Sequence, residues 1–380
     1  MRPNWYIHKK IPMRYLLLLL ASFAIACTGT APGDPTETKI TTEADVNQLL
    51  LKDHKPVSLY KNQHTPVSKA KFPVIDMHSH TYARTVEELD AWVVTMDRVG
   101  IDKTVLLTYE TGPKFDSLMQ VYSRHEGRFL LFCGFDYTGY DEPGFGPAAV
   151  KELERCVAAG AVGVGELGDK GSGLFYSRPT KAYGMHVNDA RMKPLLEKCA
   201  ELNIPINIHV AEPIWMYQPM DETNDGLMNA FRWRLDDKEG IVDHAGMLET
   251  LEDAVAQNPK TTFIACHYGN CSYDLSIVGN MLDKYPNLYL DNSARYAETA
   301  TIPRTVNKFY SRYADRILYG TDMGRNEAMY LTTFRIMETE DEHFYDRGIS
   351  GYHWPMNGYG LSEEVLKKVY HDNAKKMLGL

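Results

Sequence analysis

From about residue 73 onward, short apolar runs alternate with longer segments in which apolar residues recur every three or four positions. The short runs have the length and composition of strands, and they cover 73–78, 102–108, 129–135, 162–167, 205–210, 262–267, 287–291 and 316–321. The longer segments have the periodicity of helices, and they cover 85–99, 113–125, 147–159, 190–202, 245–257, 274–284 and 302–313. Strands that alternate with helices are typical of a parallel sheet. Eight strands with helices between them predict an α/β fold of the (β/α)8 TIM-barrel type.

The pattern predicts a single catalytic barrel over residues 71–380, because such barrels run from about 250 to beyond 400 residues. A last helix is predicted over 362–378 and is expected beneath the barrel. Two long insertions, 168–189 and 211–244, follow the fourth and fifth strands. Loops at that end of barrel strands carry substrate specificity, so both insertions are expected at the mouth of a site.

The first 26 residues are typical of a secretory signal. Basic residues precede an apolar stretch, 15–26, that is too short to span a bilayer. A small residue directly before Cys27 resembles the cleavage signal of bacterial lipoproteins, whether synthesis begins at Met1 or at Met13. We therefore expect a lipid anchor at Cys27 and a location on the cell envelope, at the outer membrane or the periplasmic face. An uncleaved anchor and a plain signal peptide are the alternatives.

Residues 27–70 are rich in Thr, Pro, Lys and Asp without sustained periodicity, which is typical of a tether. One short helix is predicted near residues 43–52. The net charge of −9 argues against nucleic-acid binding, because nucleic acid attracts basic surfaces. The cysteines after Cys27 are odd in number and form no Cys-x-x-Cys pair, which predicts buried thiols rather than disulfides.

Imidazole and carboxylate side chains end many of the predicted strands. They are His78, His80, Glu166, His209, His267 and Asp322. The carboxyl ends of barrel strands meet at one mouth, so these side chains are expected close together. A buried imidazole is unfavourable unless its nitrogens are bound, and histidine with carboxylate is a ligand set for divalent ions. The set together predicts a metal site, although each histidine taken singly could be a structural residue.

Alternation along a strand predicts which side chains share a face. His78 and His80 are expected on the interior face of the first strand, with Met77 on the opposite face. By the same rule Cys266 is expected on the opposite face from His267, which predicts a structural role for its thiol.

Several motifs together resemble the amidohydrolase superfamily, in particular its amidohydrolase-related branch of metal-dependent hydrolases and decarboxylases. These motifs are His78-Ser-His80, the separate His209 and His267, Tyr319-Gly-Thr-Asp322 and the tail Asn373–Leu380. The resemblance covers about residues 71–380 and implies metal ligation by His78, His80, His209 and Asp322. It also implies that His267 is a ligand or an oxyanion stabiliser. Glu166 stands where many members of the superfamily bridge two metals, whereas members with one metal often lack a ligand there.

The predicted activity is a metal-dependent hydrolase that acts on an ester, lactone or amide-type bond of a small organic substrate. A divalent ion lowers the pKa of its bound water to about 7, which provides a nucleophile at neutral pH. Asp322 would transfer the proton and His267 would ligate the ion or stabilise the developing oxyanion. Zinc is the expected ion, as one or two ions, with manganese, iron and nickel as alternatives.

The candidate substrate contacts lie in the second insertion and after the last two strands. Trp215 and Tyr217 could form apolar walls for an aromatic or sugar-like substrate, or could only pack the insertion against the barrel. Arg295 and Arg325 are predicted to bind an anionic group, with surface salt bridges as the alternative.

Two other functions remain open from the sequence. One is a metal-dependent non-oxidative decarboxylase of a small unsaturated or aromatic acid, and the other is a non-catalytic ligand-binding lipoprotein. A glycine pattern at 163–168 matches G-x-G-x-x-G, but a loop-like segment follows it, which argues against dinucleotide binding. The expected partners are a small-molecule substrate and the membrane, and a homodimer stays open.

Overall fold

Eight parallel strands form the barrel that the sequence predicts. The computed structural model describes residues 46–346 and 351–380, so the predicted signal peptide, Cys27 and the first part of the tether lie outside the described residues. The chain divides into Met1–Leu49 and the unit Leu50–Leu380, which contains the barrel. Its strands are β1 (Val74–Ser79), β2 (Ile101–Leu107), β3 (Phe129–Cys133), β4 (Gly163–Asp169), β5 (Ile206–Val210), β6 (Phe263–Ala265), β7 (Leu288–Asp291) and β8 (Ile317–Leu318).

Each barrel strand pairs in parallel with the next one along the chain. The segment after β8 then bonds to β1, because Met77 N–H donates to the Tyr319 carbonyl at 2.8 Å and Asp322 N–H donates to the His78 carbonyl at 2.9 Å. These bonds bring the last strand beside the first, which removes the exposed sheet edges. The predicted (β/α)8 barrel is confirmed.

The principal helices surround the strands, and seven of the eight match predicted segments. They are α1 (Val86–Val99), α2 (Gly112–Tyr122), α3 (Pro147–Ala158), α4 (Lys193–Glu201), α5 (His244–Gln257), α6 (Leu275–Lys284), α7 (Pro303–Tyr313) and α8 (Glu327–Glu338). The sequence did not predict α8, because it buries residues on most of its circumference and so lacks a clear polar face. The chain ends with the helical segments Glu363–Lys367, Lys368–Asp372 and Asn373–Leu378.

Shorter elements join these strands and helices. The helical turns are Leu51–Asp53, Ala190–Met192, Ile214–Tyr217, Leu227–Ala230, Cys266–Asn270, Tyr296–Thr299 and Ala314–Arg316. Of the short helix predicted near 43–52, the described residues show helical residues at 46–47 and the turn Leu51–Asp53, and residues 43–45 lie outside the described range. Residues 54–69 have no regular secondary structure, yet Thr65 donates its N–H and its hydroxyl to the buried Asp341 at 3.0 and 2.7 Å.

Helix α1 shows how local sequence sets the boundaries of an element. Thr85 accepts a hydrogen bond from the N–H of Glu88, and the Glu88 carboxylate accepts one from the N–H of Arg84. The helix ends at Gly100, which adopts φ 92°, a conformation that glycine tolerates best. Trp92 on its inner face is fully buried, so the capped helix is held against the sheet. A cap of this kind contributes about 1 kcal/mol.

A small apolar cluster contains side chains from strands on opposite sides of the barrel. Such side chains can meet only inside the barrel, so this cluster fills the interior. Its members are Ile75, Met77, Val105, Leu107, Phe132, Ile264, Leu318 and Ala374. Ala374 comes from the C-terminal helical segments, which confirms the prediction that the last helix packs beneath the barrel.

The prediction that Met77 faces away from the interior was wrong. Met77 belongs to the interior cluster, while His78 also points inward, toward Gly320. The register between β1 and β2 shifts between Asp76 and Ser79. An irregularity of this kind places successive side chains on one side of the sheet, so simple alternation fails there.

Both insertions lie at the carboxyl ends of the strands, as predicted. The first contains a short hairpin, Gly173–Leu174 with Ala182–Tyr183, which extends β4. The second has its own small apolar cluster around Met216. Among the residues that the structure describes, no helix is both long and apolar enough to cross a membrane.

Candidate metal centre and active site

Side chains from five barrel strands meet at the carboxyl ends of the strands. They are His78 in β1 with His80 after it, Glu166 in β4, His209 in β5, His267 shortly after β6 and Asp322 after β8. Gly320 provides the space, since a Cβ at that position would lie 2.6 Å from the Cβ of His78. The structure thus brings together all six residues that the sequence nominates as metal ligands.

Three histidines direct the same nitrogen, Nε2, toward a common centre. Their Nδ1 atoms each lie 2.9 Å from an acceptor outside the centre: Asp291 Oδ2 for His78, the Leu107 carbonyl for His80 and the Ser293 carbonyl for His267. Because these partners accept, each Nδ1 carries a proton, and the Nε2 lone pair of the neutral ring faces the centre. Outer acceptors of this kind orient metal-binding imidazoles.

The Nε2 atom of His78 is the clearest indication of an ion, because it is fully buried and has no hydrogen-bond partner. It lies 3.8 Å from Asp322 Oδ1 and 4.0 Å from Glu166 Oε2. The Nε2 atom of His267 lies 3.8 Å from Asp322 Oδ2 and 3.6 Å from Glu166 Oε1. These gaps exceed hydrogen-bond length, but two atoms each about 2.1 Å from one ion can lie up to about 4.2 Å apart. The residues therefore fit a divalent ion.

Glu166 lies between two pairs of histidines. Its Oε2 is 3.5 Å from His80 Nε2 and 4.0 Å from His78 Nε2, whereas its Oε1 is 2.7 Å from His209 Nδ1 and 3.6 Å from His267 Nε2. Burial opposes the charge on Glu166, but these neighbouring histidines hold its pKa well below the ordinary value. A carboxylate with one oxygen toward each pair can serve one ion or bridge two.

His209 is oriented in the opposite sense to the other three rings. Its Nε2 donates to the Ala211 carbonyl at 2.9 Å, so Nδ1 is the nitrogen that faces Glu166. Burial and the nearby Lys170 lower the pKa of His209, but the hydrogen bonds to Glu166 and Glu212 outweigh them and raise it. Nδ1 is therefore the His209 nitrogen that would bind an ion, after loss of the proton that it now shares with Glu166.

Cys266 faces the centre, and the prediction that it points away was wrong. Its thiol donates to the Ile208 carbonyl at 3.1 Å and lies 3.6 Å from Glu166 Oε1. Strand β6 ends at Ala265, and His267 adopts φ 59°, so alternation stops before His267 and a turn brings that ring inward as well. The five cysteines in the described residues are free and buried, as predicted.

A buried carboxylate that the sequence analysis overlooked supports two of the histidines. Asp291 accepts from His78 Nδ1 through Oδ2, and from the His267 N–H and both Ser293 donors through Oδ1. Burial opposes ionisation, but His78 and these hydrogen bonds lower the pKa of Asp291 to about 2. Its position at the end of a predicted strand, followed by Asn292 and Ser293, was the available clue.

Two tyrosines also reach the centre without having been predicted. Tyr109 donates to Glu166 Oε2 at 2.9 Å, and Tyr82 donates to the Asp322 carbonyl at 3.0 Å. Burial, together with the neighbouring carboxylates, raises the pKa of both phenols above the ordinary value, so both keep their protons.

One open cavity of about 310 Å³ leads to the centre. His209, His267 and Asp322 form one wall of it. Apolar and aromatic side chains form much of the rest, including Met216, Trp233, Tyr352 and Met356. This volume suits a small organic molecule of about one ring.

Arg295, for which the sequence predicts binding of an anionic group, lines the cavity. Its Nε and Nη2 donate to Asn270 Oδ1 at 3.0 and 2.6 Å, and Glu298 and Glu212 lie 3.8 and 3.7 Å away. Burial lowers the pKa of Arg295, but the two carboxylates outweigh it and raise that pKa. Nη1 has only a 3.4 Å contact with the Ala294 carbonyl, so it retains donor capacity for a ligand.

The half-buried Lys170 and the buried Glu212 form an ion pair in the same cavity. Lys170 Nζ also lies over the rings of Tyr176 and Trp233, at 5.3 and 5.7 Å from their centroids. Glu212 Oε2 is 3.7 Å from His209 Nε2, which links the pair to the centre. Neither residue was predicted from the sequence as part of the site, although Lys170 directly follows β4 and Glu212 lies two residues after the end of β5.

Three nominated substrate contacts do not line this cavity. Trp215 meets the cavity-lining Tyr352 edge-on, with ring centroids 6.3 Å apart, while Tyr217 packs against His244 with centroids 5.6 Å apart. Arg325 lies 3.4 Å from the Glu88 carboxylate, in the ion pair that the sequence analysis held as its alternative.

Comparisons with known proteins agree with this architecture. The amidohydrolase family model matches residues 62–380. No curated protein matches the chain. Similar solved structures include 2,6-dihydroxybenzoate decarboxylase from Rhizobium, with 18% identity over 81% of this chain and 99% of that one, at a TM-score of 0.50. An uncharacterised TIM-barrel protein from Bordetella bronchiseptica has 17% identity over 81% of this chain and 99% of that one, at a TM-score of 0.51.

A third similar structure is 5-carboxyvanillate decarboxylase from Novosphingobium aromaticivorans in complex with manganese, with 15% identity over 83% of this chain and 99% of that one, at a TM-score of 0.50. At these identities the three structures show the shared barrel fold. The family model covers most of the chain, including all six residues of the centre. The chain therefore belongs to the amidohydrolase family, whose members are metal-dependent enzymes.

Proposed function

We propose that this chain is a metal-dependent enzyme that removes the carboxylate of a small unsaturated or aromatic acid as carbon dioxide. The observation that carries the proposal is the single cavity in which three members of the metal centre, a buried arginine and an apolar wall face one another. A flat acid can place its carboxylate near the centre and Arg295, and its unsaturated part against Met216 and Trp233.

The residues of the centre have distinct roles in this proposal. His78, His80, Glu166 and His209 would hold the ion, together with Asp322 and His267. When bound, the ion supplies a Lewis acid that binds an anionic oxygen and stabilises developing negative charge. The bond between the carboxylate carbon and the adjacent substrate carbon would break with release of carbon dioxide. Its electron pair would stay on the substrate carbon, and a proton taken up from solvent would occupy the vacated position. Asp322 lines the cavity, so we assign the proton transfer to it.

The activities of similar proteins are the reason to place decarboxylation before hydrolysis. Two of the similar structures are decarboxylases of substituted benzoates, and one of them was solved with manganese. Manganese or zinc would suit a centre of imidazoles and carboxylates.

Hydrolysis of an ester, lactone or amide-type bond is the second candidate, and the position of Glu166 favours it. A carboxylate between two pairs of histidines allows two ions side by side, an arrangement that many hydrolytic enzymes use to activate water. Asp322 would then take the proton of the attacking water and return it to the leaving group.

The two candidates differ in their products. We would load the metal-free protein with Zn²⁺ or Mn²⁺ and offer hydroxybenzoates and short unsaturated acids labelled with ¹³C at the carboxyl carbon. Release of labelled carbon dioxide by the loaded protein, but not by the metal-free protein, is the expected result. In parallel, hydrolysis of a panel of lactones and esters would be monitored by measuring the acid that is released.

The Asp322→Asn variant, checked for retained metal, is the control for background chemistry. If the protein turns over a lactone or ester and releases no carbon dioxide from the acids, its activity is hydrolysis and the decarboxylase proposal is refuted. An ion bound without turnover in either panel would favour a ligand-binding protein.

We also propose that the mature protein is anchored to the cell envelope through a lipid at Cys27. This residue lies outside the described residues, and the proposal is supported by the sequence before it. Mass spectrometry of the N-terminal peptide from the native membrane fraction would test it, since an unmodified Cys27 in that peptide would contradict lipidation.

A further inference from the structure

The rings of Tyr82 and Tyr109 flank His80. The Tyr109 ring stacks on the imidazole, with centroids 5.1 Å apart and planes 12° apart. The Tyr82 ring meets the imidazole edge-on, with centroids 5.9 Å apart and planes at 89°. The two phenols therefore enclose the ligand nitrogen of His80 from two directions.

Each phenol is bonded to a different carboxylate of the centre. The Tyr109 hydroxyl donates to Glu166 Oε2 at 2.9 Å and is 3.2 Å from His80 Nε2. The Tyr82 hydroxyl donates to the carbonyl of Asp322 at 3.0 Å and lies 3.3 Å from its Oδ1. Those two carboxylate oxygens lie 3.5 and 3.0 Å from His80 Nε2.

Two of these residues adopt an unusual backbone. Tyr109 has φ 59° and Asp322 has φ 54°, in the left-handed region that non-glycine residues rarely occupy. Such a conformation is unfavourable by about 1 kcal/mol or more, and it persists where the surroundings hold it in place. Here it directs both side chains to the same imidazole nitrogen.

Two carboxylates next to one imidazole, the buried Glu166 and the partly exposed Asp322, have more than one way to arrange themselves. Asp322 Oδ1 already lies within hydrogen-bond distance of His80 Nε2, at 3.0 Å, whereas Glu166 Oε2 is 3.5 Å away. Without a fixed donor, Glu166 could rotate toward a protonated imidazole as well, and the space for an ion would close. A phenol bonded to each carboxylate limits that rotation and leaves the remaining lone pairs directed inward.

We infer that Tyr82 and Tyr109 are positioning residues that hold Asp322 and Glu166 in the arrangement that receives the divalent ion beside His80. This inference rests on the proposed metal dependence. It predicts that loss of either hydroxyl weakens ion binding although neither oxygen needs to ligate the ion.

The Tyr→Phe variants remove only the hydroxyl and retain the rings that pack around His80. Metal-free wild type, Tyr82→Phe and Tyr109→Phe would be titrated with Zn²⁺ in competition with a chromophoric chelator. We expect each variant to bind Zn²⁺ about 10- to 100-fold more weakly than wild type, as for other groups that orient metal ligands. Tyr313→Phe is the matched control, because its hydroxyl donates to the Gly279 carbonyl at 3.0 Å in the outer helical layer. It should bind Zn²⁺ within twofold of wild type.

A double-mutant cycle separates positioning from general destabilisation. In a Glu166→Gln background, Tyr109→Phe should change Zn²⁺ affinity by less than twofold further, because the carboxylate that it positions is gone. In an Asp322→Asn background, the same Tyr109→Phe change should keep its full effect. Thermal melting of each metal-free variant would verify that it is folded at the assay temperature.

Zn²⁺ affinities of Tyr82→Phe and Tyr109→Phe within twofold of wild type would overturn the inference, as would an undiminished Tyr109→Phe effect in the Glu166→Gln background. If metal-free Tyr109→Phe is unfolded at the assay temperature, the Zn²⁺ affinity of Tyr82→Phe alone tests the inference, and a value within twofold of wild type would overturn it. Failure of the wild type to bind Zn²⁺ or Mn²⁺ would instead refute the proposed metal dependence itself.

Discussion

Replacing Asp291 by asparagine changes two oxygens of nearly equal shape into one acceptor and one donor. Asp291 Oδ1 accepts from the His267 N–H, the Ser293 N–H and the Ser293 hydroxyl, so the asparagine oxygen should keep that side. The new amide group then takes the place of Oδ2, where His78 Nδ1 and Asn207 Nδ2 both donate. The N–H groups of His78 and Asn207 would then point at a third N–H donor, the new side-chain amide.

Asn207 can relieve its part of this conflict, because its Oδ1 is buried without a hydrogen-bond partner and a flip of the amide would present it to the new donor. His78 can relieve its part by moving its proton from Nδ1 to Nε2, or by keeping the proton and donating it to the Ser293 hydroxyl oxygen, which lies 3.0 Å from Nδ1. After a move to Nε2, the lone pair of that nitrogen would be lost to the ion. If His78 instead keeps its proton, it exchanges a carboxylate acceptor for the neutral Ser293 hydroxyl and faces the new amide donor, and the loss of a hydrogen bond to a charged group costs about 1.5–3 kcal/mol.

We therefore expect Asp291→Asn to weaken divalent-ion affinity by about 10- to 100-fold, or about 1.4–2.7 kcal/mol. Affinity would be measured by chelator competition on folded, metal-free protein, and the His78 tautomer by long-range ¹H–¹⁵N NMR. Asp283→Asn is the matched control, since Asp283 pairs with Arg312 at the surface. An affinity within twofold of wild type, with His78 still protonated at Nδ1, would refute the reasoning.

Four further predictions follow from other parts of the molecule. Arg295→Met should raise the KM for an anionic substrate about tenfold or more, because a charge-assisted hydrogen bond contributes about 1.5–3 kcal/mol; Arg325→Met, outside the cavity, should leave KM unchanged, and equal effects would contradict the assignment. Removing the ion with a chelator should lower Tm, since an ion at 100 times its Kd stabilises the fold by about 2.7 kcal/mol, and coincident melting curves would argue against a specific site. Cys27→Ser should move the protein from the membrane to the soluble fraction, and unchanged fractionation would count against lipidation. Trp92→Ala should reduce the free energy of unfolding by about 3–5 kcal/mol in denaturant titrations, because the ring is fully buried, and a loss below about 1 kcal/mol would show that the helix-to-barrel contact was misjudged.

Prediction from the sequence failed where the backbone leaves regular geometry. Met77 and Cys266 were assigned to the wrong faces because alternation holds only in continuous extended backbone, and both lie next to a register shift or a turn. Helix α8 was overlooked because an element that is buried on most sides has no polar face to reveal its period. Tyr109 was overlooked for a related reason. Its left-handed backbone turns its side chain toward the centre, and strand alternation does not predict that direction.

By itself the sequence determined the order and type of the repeating elements, because apolar periodicity is a local property of each segment. It also determined which residues end the strands, and in a parallel barrel all strand ends lie at one mouth, so six candidate ligands could be named in advance. Only the tertiary structure decided which nitrogen of each imidazole faces inward. Those orientations depend on acceptors such as Asp291 and the Leu107 carbonyl, which come from other strands. Long-range contacts of this kind leave no periodic trace in the chain, because residues far apart in sequence become neighbours only when the barrel closes.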